Sequence, residues 1–323
     1  MFSIIMPVYN GGKFIDEAIK SVFLQSFSDW ELIIMDDGSK DNTQEVLEKY
    51  SQNEKIHIYT QKNQGVSVAR NNAISKANGN YIVFLDADDV WFENHLAVMN
   101  ELVCKYPDAG LYGTFTKCEL VNGETIEECE FFKTHDEIVY LEDFFLEYHK
   151  DKSAKMFTVI TTCFSKEAVK KAGGFPVGCA IGEDLELSLR VAAYYPVVLT
   201  KRITAVYKKT NSTATKDVSF DPDWRFFDTV EELYNDDEIP ISKKENLKKV
   251  MQWFIMRRCR HYIIKGRKDK AWESFYNIGK EKNLKKDKLI NLVLLFLCSS
   301  NLFHILSKKS RYSSGETISP IPL

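Results

Sequence analysis

Residues 81–91 read YIVFLDADDVW, and their reading decides the fold. Four apolar residues, Ile82 to Leu85, run straight into three carboxylates within four positions: Asp86, Asp88 and Asp89. A short apolar run bounded in this way is a buried strand. Carboxylates crowded at its end repel, and each raises the pKa of the others unless a cation sits between them. The reason for that crowding has to be sought in the rest of the chain.

Outward from this stretch, strands and helices alternate. FSIIMPVY (2–9) is a short buried strand, and Gly11 and Gly12 form a turn. KFIDEAIKSVFLQ (13–25) sets Phe14, Ile15, Ala18, Ile19, Val22 and Phe23 at the helical period. WELIIMDDGS (30–39) is a second strand, and Asp41 is placed to cap a helix running to Tyr50. KIHIYT (55–60) is a third strand, GVSVARNNAISKA (65–77) a helix, and VWFENHLAVMNEL (90–102) another. This alternation predicts an α/β domain with a mostly parallel central sheet and helices on both faces. Such sheets bind ligands at the carboxyl ends of their strands. Tyr9 and Asn10, Asp36 and Asp37, and Asp86 to Asp89 all fall there.

The middle of the chain is less regular. AGLYGTFTKCELV (109–121) and FTVITTCFS (157–165) read as strands, and IVYLEDFFLEYH (138–149) as an amphipathic helix. KEAVKKAGGF (166–175) is a short helix ended by Gly173 and Gly174. GEDLELSLRVAAY (182–194) is a helix with carboxylates in its first turn, and VVLTKRITAVYKK (197–209) is β-rich. The expected division is a domain over 1–220, in halves 1–115 and 116–220, followed by a basic helical extension over 221–323.

The 323 residues carry a formal charge of −3, which hides an asymmetry. From Ile241 onward there are 19 Lys and Arg against 6 Asp and Glu, about +13; the rest holds 24 against 40, about −16. A basic tail on an acidic body points to an anionic partner. LINLVLLFLCSSNLFHIL (289–306) has only about ten uninterrupted apolar residues, against roughly 20 for a membrane span. Three readings compete: a packed helix, one lying in a membrane interface, and a true span, and the flanking lysines favour the interfacial one over the span. The seven cysteines show no metal-binding spacing and read as free thiols of a reducing cytoplasm. The N-terminus has no positively charged region before its apolar run and reads as a strand, not a leader.

A carboxylate cluster at the mouth of a parallel sheet can bind a divalent cation, act in acid/base chemistry, or cap a helix. One carboxylate suffices to cap, so three call for more. Oxygen ligands suit Mg2+ or Mn2+, which bind substrate phosphates beside one or two carboxylates and neutralise a departing diphosphate. The DDGS sequence is a turn in its plain reading; its carboxylates could instead accept hydrogen bonds from a base or ribose. Tyr9 could stack on the base. Together these describe a nucleotide site, although neither GxGxxG nor GxxxxGK[ST] occurs. Glu183 and Asp184 open a helix, where the dipole favours carboxylates; one of them could equally be a general base.

The set PVYN, ELIIMDDGSKDNT, NQGVSVARNNAI, GNYIVFLDADDVW, and GGF followed by GEDLELSLR resembles the family 2 glycosyltransferases over about residues 2–207. The resemblance implies a GT-A fold, a nucleotide-diphosphate sugar donor, a divalent cation (Mg2+ or Mn2+), and inversion at the anomeric carbon. It makes Asp86 and Asp88 the DxD motif, with Asp88 the direct metal ligand and Asp89 in support. Pro7, Tyr9, Asn10, Asp37, Arg70, Asp86 and Ala87 become nucleotide-sugar contacts. Asp184 becomes the catalytic base and Glu183 its partner. The first half, 1–115, then binds the donor, and 116–220 the acceptor. The chain departs from relatives that carry a His shortly after Tyr207, so that diphosphate or metal contact is not carried over. It also lacks the QxxRW motif and the multiple spans of processive synthases. Single-sugar addition follows, from a UDP-sugar to a glycan or lipid-linked saccharide of the cell surface. A nucleotidyltransferase and an inactive sugar-nucleotide-binding protein remain as alternatives. The expected location is the cytoplasm, peripheral to an anionic membrane through the C-terminal helices, with no nucleic-acid partner.

Overall fold

The computed structural model describes residues 1–120, 124–126, 133, 135–151, 158–179, 182–208 and 226–279. Strands β1 (Phe2–Val8) and β2 (Trp30–Asp36) are buried at every position. Their near-continuous apolar character is what burial on both faces demands. Helix α1 (Ile15–Phe23) joins them, and α2 (Thr43–Glu48) leads to β3 (Ile56–Thr60). Helix α3 (Val66–Ile74) crosses to β4 (Tyr81–Phe84). In register, Val8 lies beside Asp36 and Ile5 beside Phe84. The ends of β1, β2 and β4 therefore open onto one mouth, which is where the acidic residues lie.

The second half follows as β5 (Val90–Trp91), α4 (His95–Lys105), β6 (Leu111–Glu119), β7 (Thr125–Ile126), β8 (Ile138–Leu141) and α5 (Phe144–Asp151). Then come β9 (Thr162–Ser165), α6 (Lys166–Ala172), α7 (Glu183–Tyr194) and β10 (Val197–Lys208). The sheet runs β3-β2-β1-β4-β9-β6-β10-β5, with β7 beside β6 and β8 beside β10. Its long ladders are parallel: β1 with β2 and with β4, β2 with β3, and β6 with β10. Short antiparallel pairings are confined to the far side, where β9 inserts between β4 and β6.

Two expected helices start later than the sequence pattern suggests. Val90 and Trp91 pair antiparallel with Val206 and Ala205, so the helix expected from residue 90 starts at His95. Its N-cap residue is Asn94, so neither Asp88 nor Asp89 caps it. Ile138 to Leu141 pair with β10, so the helix expected over 138–149 begins as a strand. Both stretches are β-branched and aromatic, and the partner strand outweighs their helical spacing.

Helices α8 (Phe226–Asn235), α9 (Ile241–Ile264) and α10 (Lys268–Gly279) complete the described chain. Val230, Leu233, Ile239, Leu247, Val250 and Phe254 join the same apolar core as the sheet. The start of the basic extension is thus packed on the body. Among the described residues no helix is long and apolar enough to cross a membrane. The 289–306 segment and the stretch after Lys208 that lacks the family's His lie outside the described residues.

Candidate active site

The loop after β1 and the loop after β2 are stitched together. The Asn10 amide donates to Ser39 Oγ (2.9 Å), and Asn10 Oδ1 accepts from the Lys40 amide (2.7 Å). The Gly11 amide donates to Thr43 Oγ1 (3.0 Å) and the Gly12 amide to Asp41 Oδ2 (3.1 Å). Asn10 has φ +53°, a left-handed conformation that Asn tolerates better than most residues. A Cβ on Gly12 would overlap Asn42 Oδ1 and come within 2.9 Å of the Thr43 amide, so the close approach requires Gly. Beside this seam the Tyr9 ring is 51% exposed, while Pro7 is buried inside β1 opposite Met35.

Asp36 and Asp37 are both buried, with different partners. Asp36 accepts from the Ser39 amide (2.9 Å) and Gln44 Nε2 (3.2 Å), holding its own turn. Asp37 Oδ1 accepts from Gln61 Nε2 and the Gln64 amide, and Oδ2 from the Gly65 amide, each at 2.8 Å. Asp37 therefore ties β2 to the loop that starts α3. A carboxylate oxygen has room for two donors, so Oδ2 can still accept from a base.

The centre of the site is Arg70, 3% exposed on α3. Its Nη2 donates to Asp86 Oδ1 at 2.8 Å and its Nη1 to Glu183 Oε1 at 2.7 Å. The guanidinium lies over the Phe175 ring at 5.1 Å. One buried fork thus joins the end of β4 to the first turn of α7. Burial opposes its charge, but Asp86 and Glu183 outweigh this and raise its pKa further. Two buried polar atoms on α3, Arg70 Nε and Ser67 Oγ, have no protein partner.

Asp89 is almost wholly buried and Oδ1 accepts from the Lys208 amide at 2.9 Å. Burial, then Asp86 and Asp88, push its carboxyl well above the usual range. The Tyr207 phenol, next to them on β10, is pushed up to about 12 by burial and by Asp89, Asp88 and Asp86. Ala87, between Asp86 and Asp88 in sequence, packs in the core. On α7, Asp184 is half-buried and pushed up to about 6 by burial and then Glu183, with Arg70 pulling down. Its Oδ1 accepts from the Leu185 amide at 2.7 Å.

The fold therefore brings Arg70, Asp86, Glu183 and Asp184 into one electrostatic cluster, with Asp88, Asp89 and Tyr207 on its flank. Arg70 answers Asp86, Glu183 and Asp184, while Asp88 and Asp89 add further acid beside Asp86, an excess that favours a bound cation. Among the described residues no three His, Cys, Asp or Glu side chains form a cage for a metal ion by themselves. The donor set fits a hard cation that keeps water and takes its remaining ligands from a phosphate. Sequence reasoning missed Tyr207, whose approach depends on a β5–β10 pairing between residues more than a hundred apart. It also missed the ring that Phe175 places beside Arg70, although GGF was recognised as a motif.

Comparison with known proteins places this arrangement. The model of "Glycosyl transferase family 2" matches residues 3–171, more than half of the sequence, and the chain belongs to that family. The teichuronic acid biosynthesis glycosyltransferase TuaG of Bacillus subtilis is 40% identical over 116 residues, 34% of this chain and 46% of TuaG. The Escherichia coli UDP-Glc:alpha-D-GlcNAc-diphosphoundecaprenol beta-1,3-glucosyltransferase WfgD is 35% identical over 126 residues, 39% of this chain and 49% of WfgD. These matches span about half the length of either relative. In structure, S. aureus TarS 1-349 in complex with UDP-GlcNAc superposes with a TM-score of 0.63 at 18% identity, over 84% of this chain and 87% of the TarS 1-349 chain. The fold is of the GT-A type.

Proposed function

We propose that this chain is an inverting glycosyltransferase. It moves one sugar from a nucleotide-diphosphate sugar, a UDP-sugar, to a hydroxyl of a lipid-linked saccharide in cell-surface polysaccharide assembly. The observation that carries this reading is the Arg70 fork, which joins the strand end at Asp86 to the first turn of the Asp184 helix. Asp86 at a strand end and Glu183 at a helix start 97 residues later have no packing reason to share a buried cation. A donor diphosphate beside one and an acceptor hydroxyl beside the other supply a chemical reason.

Each residue then has a task. The exposed Tyr9 ring stacks on the base, and Asp37 accepts from it. Asp88 and Asp86 would hold Mg2+ or Mn2+, which neutralises charge on a departing diphosphate. Asp184, with one oxygen engaged by Leu185, uses the other to take the acceptor proton. A carboxylate titrating near 6 is ionised at neutral pH and is a stronger base than an ordinary Asp. The hydroxyl attacks the anomeric carbon in a single displacement, and the nucleoside diphosphate leaves. The donor named for WfgD supports UDP-glucose and the acceptor named for it supports a diphosphoundecaprenol-linked sugar; the UDP-GlcNAc in the TarS complex supports a UDP-sugar more generally.

A lipid-linked acceptor accounts for the charge asymmetry too. We place the protein on the cytoplasmic face of an anionic membrane. Lys265, Arg267 and Lys268 are exposed at the α9–α10 turn, and Trp272 nearby is 45% exposed. Each basic residue near such a surface contributes about 1 kcal/mol. Flotation with anionic liposomes at low salt tests this: full-length protein should float, and reversal of Lys265 and Lys268 to Glu should abolish it. Failure of the unaltered protein to float removes the membrane from the reading.

The test of the activity is a panel of UDP-, GDP- and TDP-sugars with a lipid-linked acceptor, following nucleoside diphosphate release with Mn2+ and with chelator. Metal-dependent UDP release is expected. Release of pyrophosphate from UTP and a sugar phosphate, with none from the sugar donors, would make the chain a nucleotidyltransferase instead.

A further inference from the structure

Glu186 lies on α7, one turn beyond Glu183, and is 0% exposed. Its Oε1 accepts from Thr229 Oγ1 of α8 at 2.5 Å, and from Arg190 Nη2 and Nε at 3.1 and 3.3 Å. Arg190 Nη2 also reaches Thr229 Oγ1 (2.7 Å) and Glu232 Oε2 (3.4 Å). Glu186 Oε2 is buried with no partner. A buried carboxylate with one orphaned oxygen is an expensive way to join two helices. Neighbouring positions bury apolar side chains: Leu187, Leu189 and Val191 on α7, and Val230 and Leu233 on α8. Packing alone would accept Leu or Met at 186.

What the carboxylate adds is direction. Glu183 fixes the start of α7 to Arg70, and Glu186, one turn on, fixes it to α8. Asp184 sits between these two attachments. Its carbonyl is tied further by Ser188 Oγ at 2.8 Å. An apolar contact tolerates a small rotation of the helix about its axis; two polar attachments one turn apart do not.

We infer that Glu186 is a positioning residue that sets the rotation of α7 and hence the aim of Asp184. Helix α8, which lies in the C-terminal extension, thereby becomes part of the transfer machinery. The activity arm rests on the proposed role of Asp184; the exchange arm does not.

The test compares Glu186→Met, Glu186→Gln and Thr229→Val in the full-length protein. Glu186→Met should lower the melting temperature only modestly, because Arg190 is partly exposed and keeps Thr229 and Glu232 as partners, so no fully buried charge is stranded. Its kcat should fall about 10- to 100-fold from misplacement, with donor KM and UDP affinity within about twofold of the unaltered enzyme. Glu186→Gln keeps an oxygen for Thr229 and should retain most activity. Amide exchange across residues 182–190 should quicken roughly tenfold in Glu186→Met and Thr229→Val, and not in Glu186→Gln. Exchange needs no donor, so it reads the inference even if the transferase reading fails. Slow exchange at 182–190 in Glu186→Met overturns the inference. So does unchanged kcat, or equal impairment of Gln and Met. Should Glu186→Met fail to fold, Thr229→Val decides between the same outcomes, because it leaves the carboxylate in place.

Discussion

Replacing Asp184 by Asn should make the protein more stable and nearly inactive. The carboxyl titrates near 6 in the folded protein, against an ordinary value of 3.8. Between those values the folded form keeps a proton that the unfolded form has released. Stability therefore falls as pH rises through the window and stays reduced above it. At 1.36 kcal/mol per unit, a shift of about two units amounts to about 3 kcal/mol at pH 8. At pH 5 the folded carboxyl is still mostly protonated, so about half of that has developed. Asn never ionises, and its amide oxygen can keep the Leu185 hydrogen bond. Urea unfolding of Asp184→Asn should thus show a gain of a few kcal/mol at pH 8 and roughly half as much at pH 5, with an unchanged denaturant slope. Transfer should drop by about 10²- to 10⁴-fold, the usual result of removing a general base, while UDP binding stays. A variant less stable than the unaltered protein at pH 8, or a gain of equal size at both pH values, would refute the electrostatic account of this carboxyl. UDP affinity that falls in step with rate would refute its role as base.

The remaining expectations are simpler. Asp88→Asn should abolish metal-stimulated transfer while far-UV circular dichroism and melting temperature stay close to normal; activity that persists in chelator would exclude the cation role. Tyr9→Ala should weaken UDP binding by about 1–3 kcal/mol of stacking, roughly 5- to 150-fold, with stability within about 0.5 kcal/mol because the ring is exposed; unchanged titration calorimetry would remove Tyr9 from the base site. Arg70→Met should destabilise by about 3 kcal/mol or more, since it strands two carboxylates in a partly buried cluster. Arg70→Lys should recover only part of this, because an ammonium cannot fork to both; full recovery by Lys would show that charge alone, without the fork, holds the site.

The parallel half of the fold was legible because local pattern suffices there. β1 and β2 are apolar at nearly every position, and the helices between them repeat at the helical period. The far half was less so. Val90–Trp91 and Ile138–Leu141 become strands only through β10, far away in sequence. No local rule ranks that pairing above the helical spacing around it. The site divides the same way. Asp36 and Asp37 are adjacent and look alike in sequence, yet one holds a turn and the other clamps the next loop. Arg70 could be assigned to the neighbourhood of a nucleotide, but its burial between Asp86 and Glu183 is a fact of packing. Glu186 gave no signal at all, since a third acid in a helix-start sequence reads as solvated.

The three crowded carboxylates of residues 86–89 differ in what surrounds them. Asp89 has gone into the core, where the Lys208 amide and a raised pKa make it a tie between the β4 turn and the end of β10. Asp86 faces Arg70 and passes its charge along the fork to α7. Asp88 is the one that the proposed reading assigns first to the cation. The Tyr207 phenol, held up near 12 partly by all three, registers the negative potential they leave at the mouth. The same potential raises the pKa of Asp184 through Asp86, and Arg70 lowers it. A cation at the mouth would oppose the first effect and draw the pKa of Asp184 back toward 3.8. The acid limb of the pH–rate profile should therefore move to lower pH as Mn2+ is raised toward saturation. A limb that stays put would mean that the strand-end acids and Asp184 act independently, with Arg70 screening one from the other.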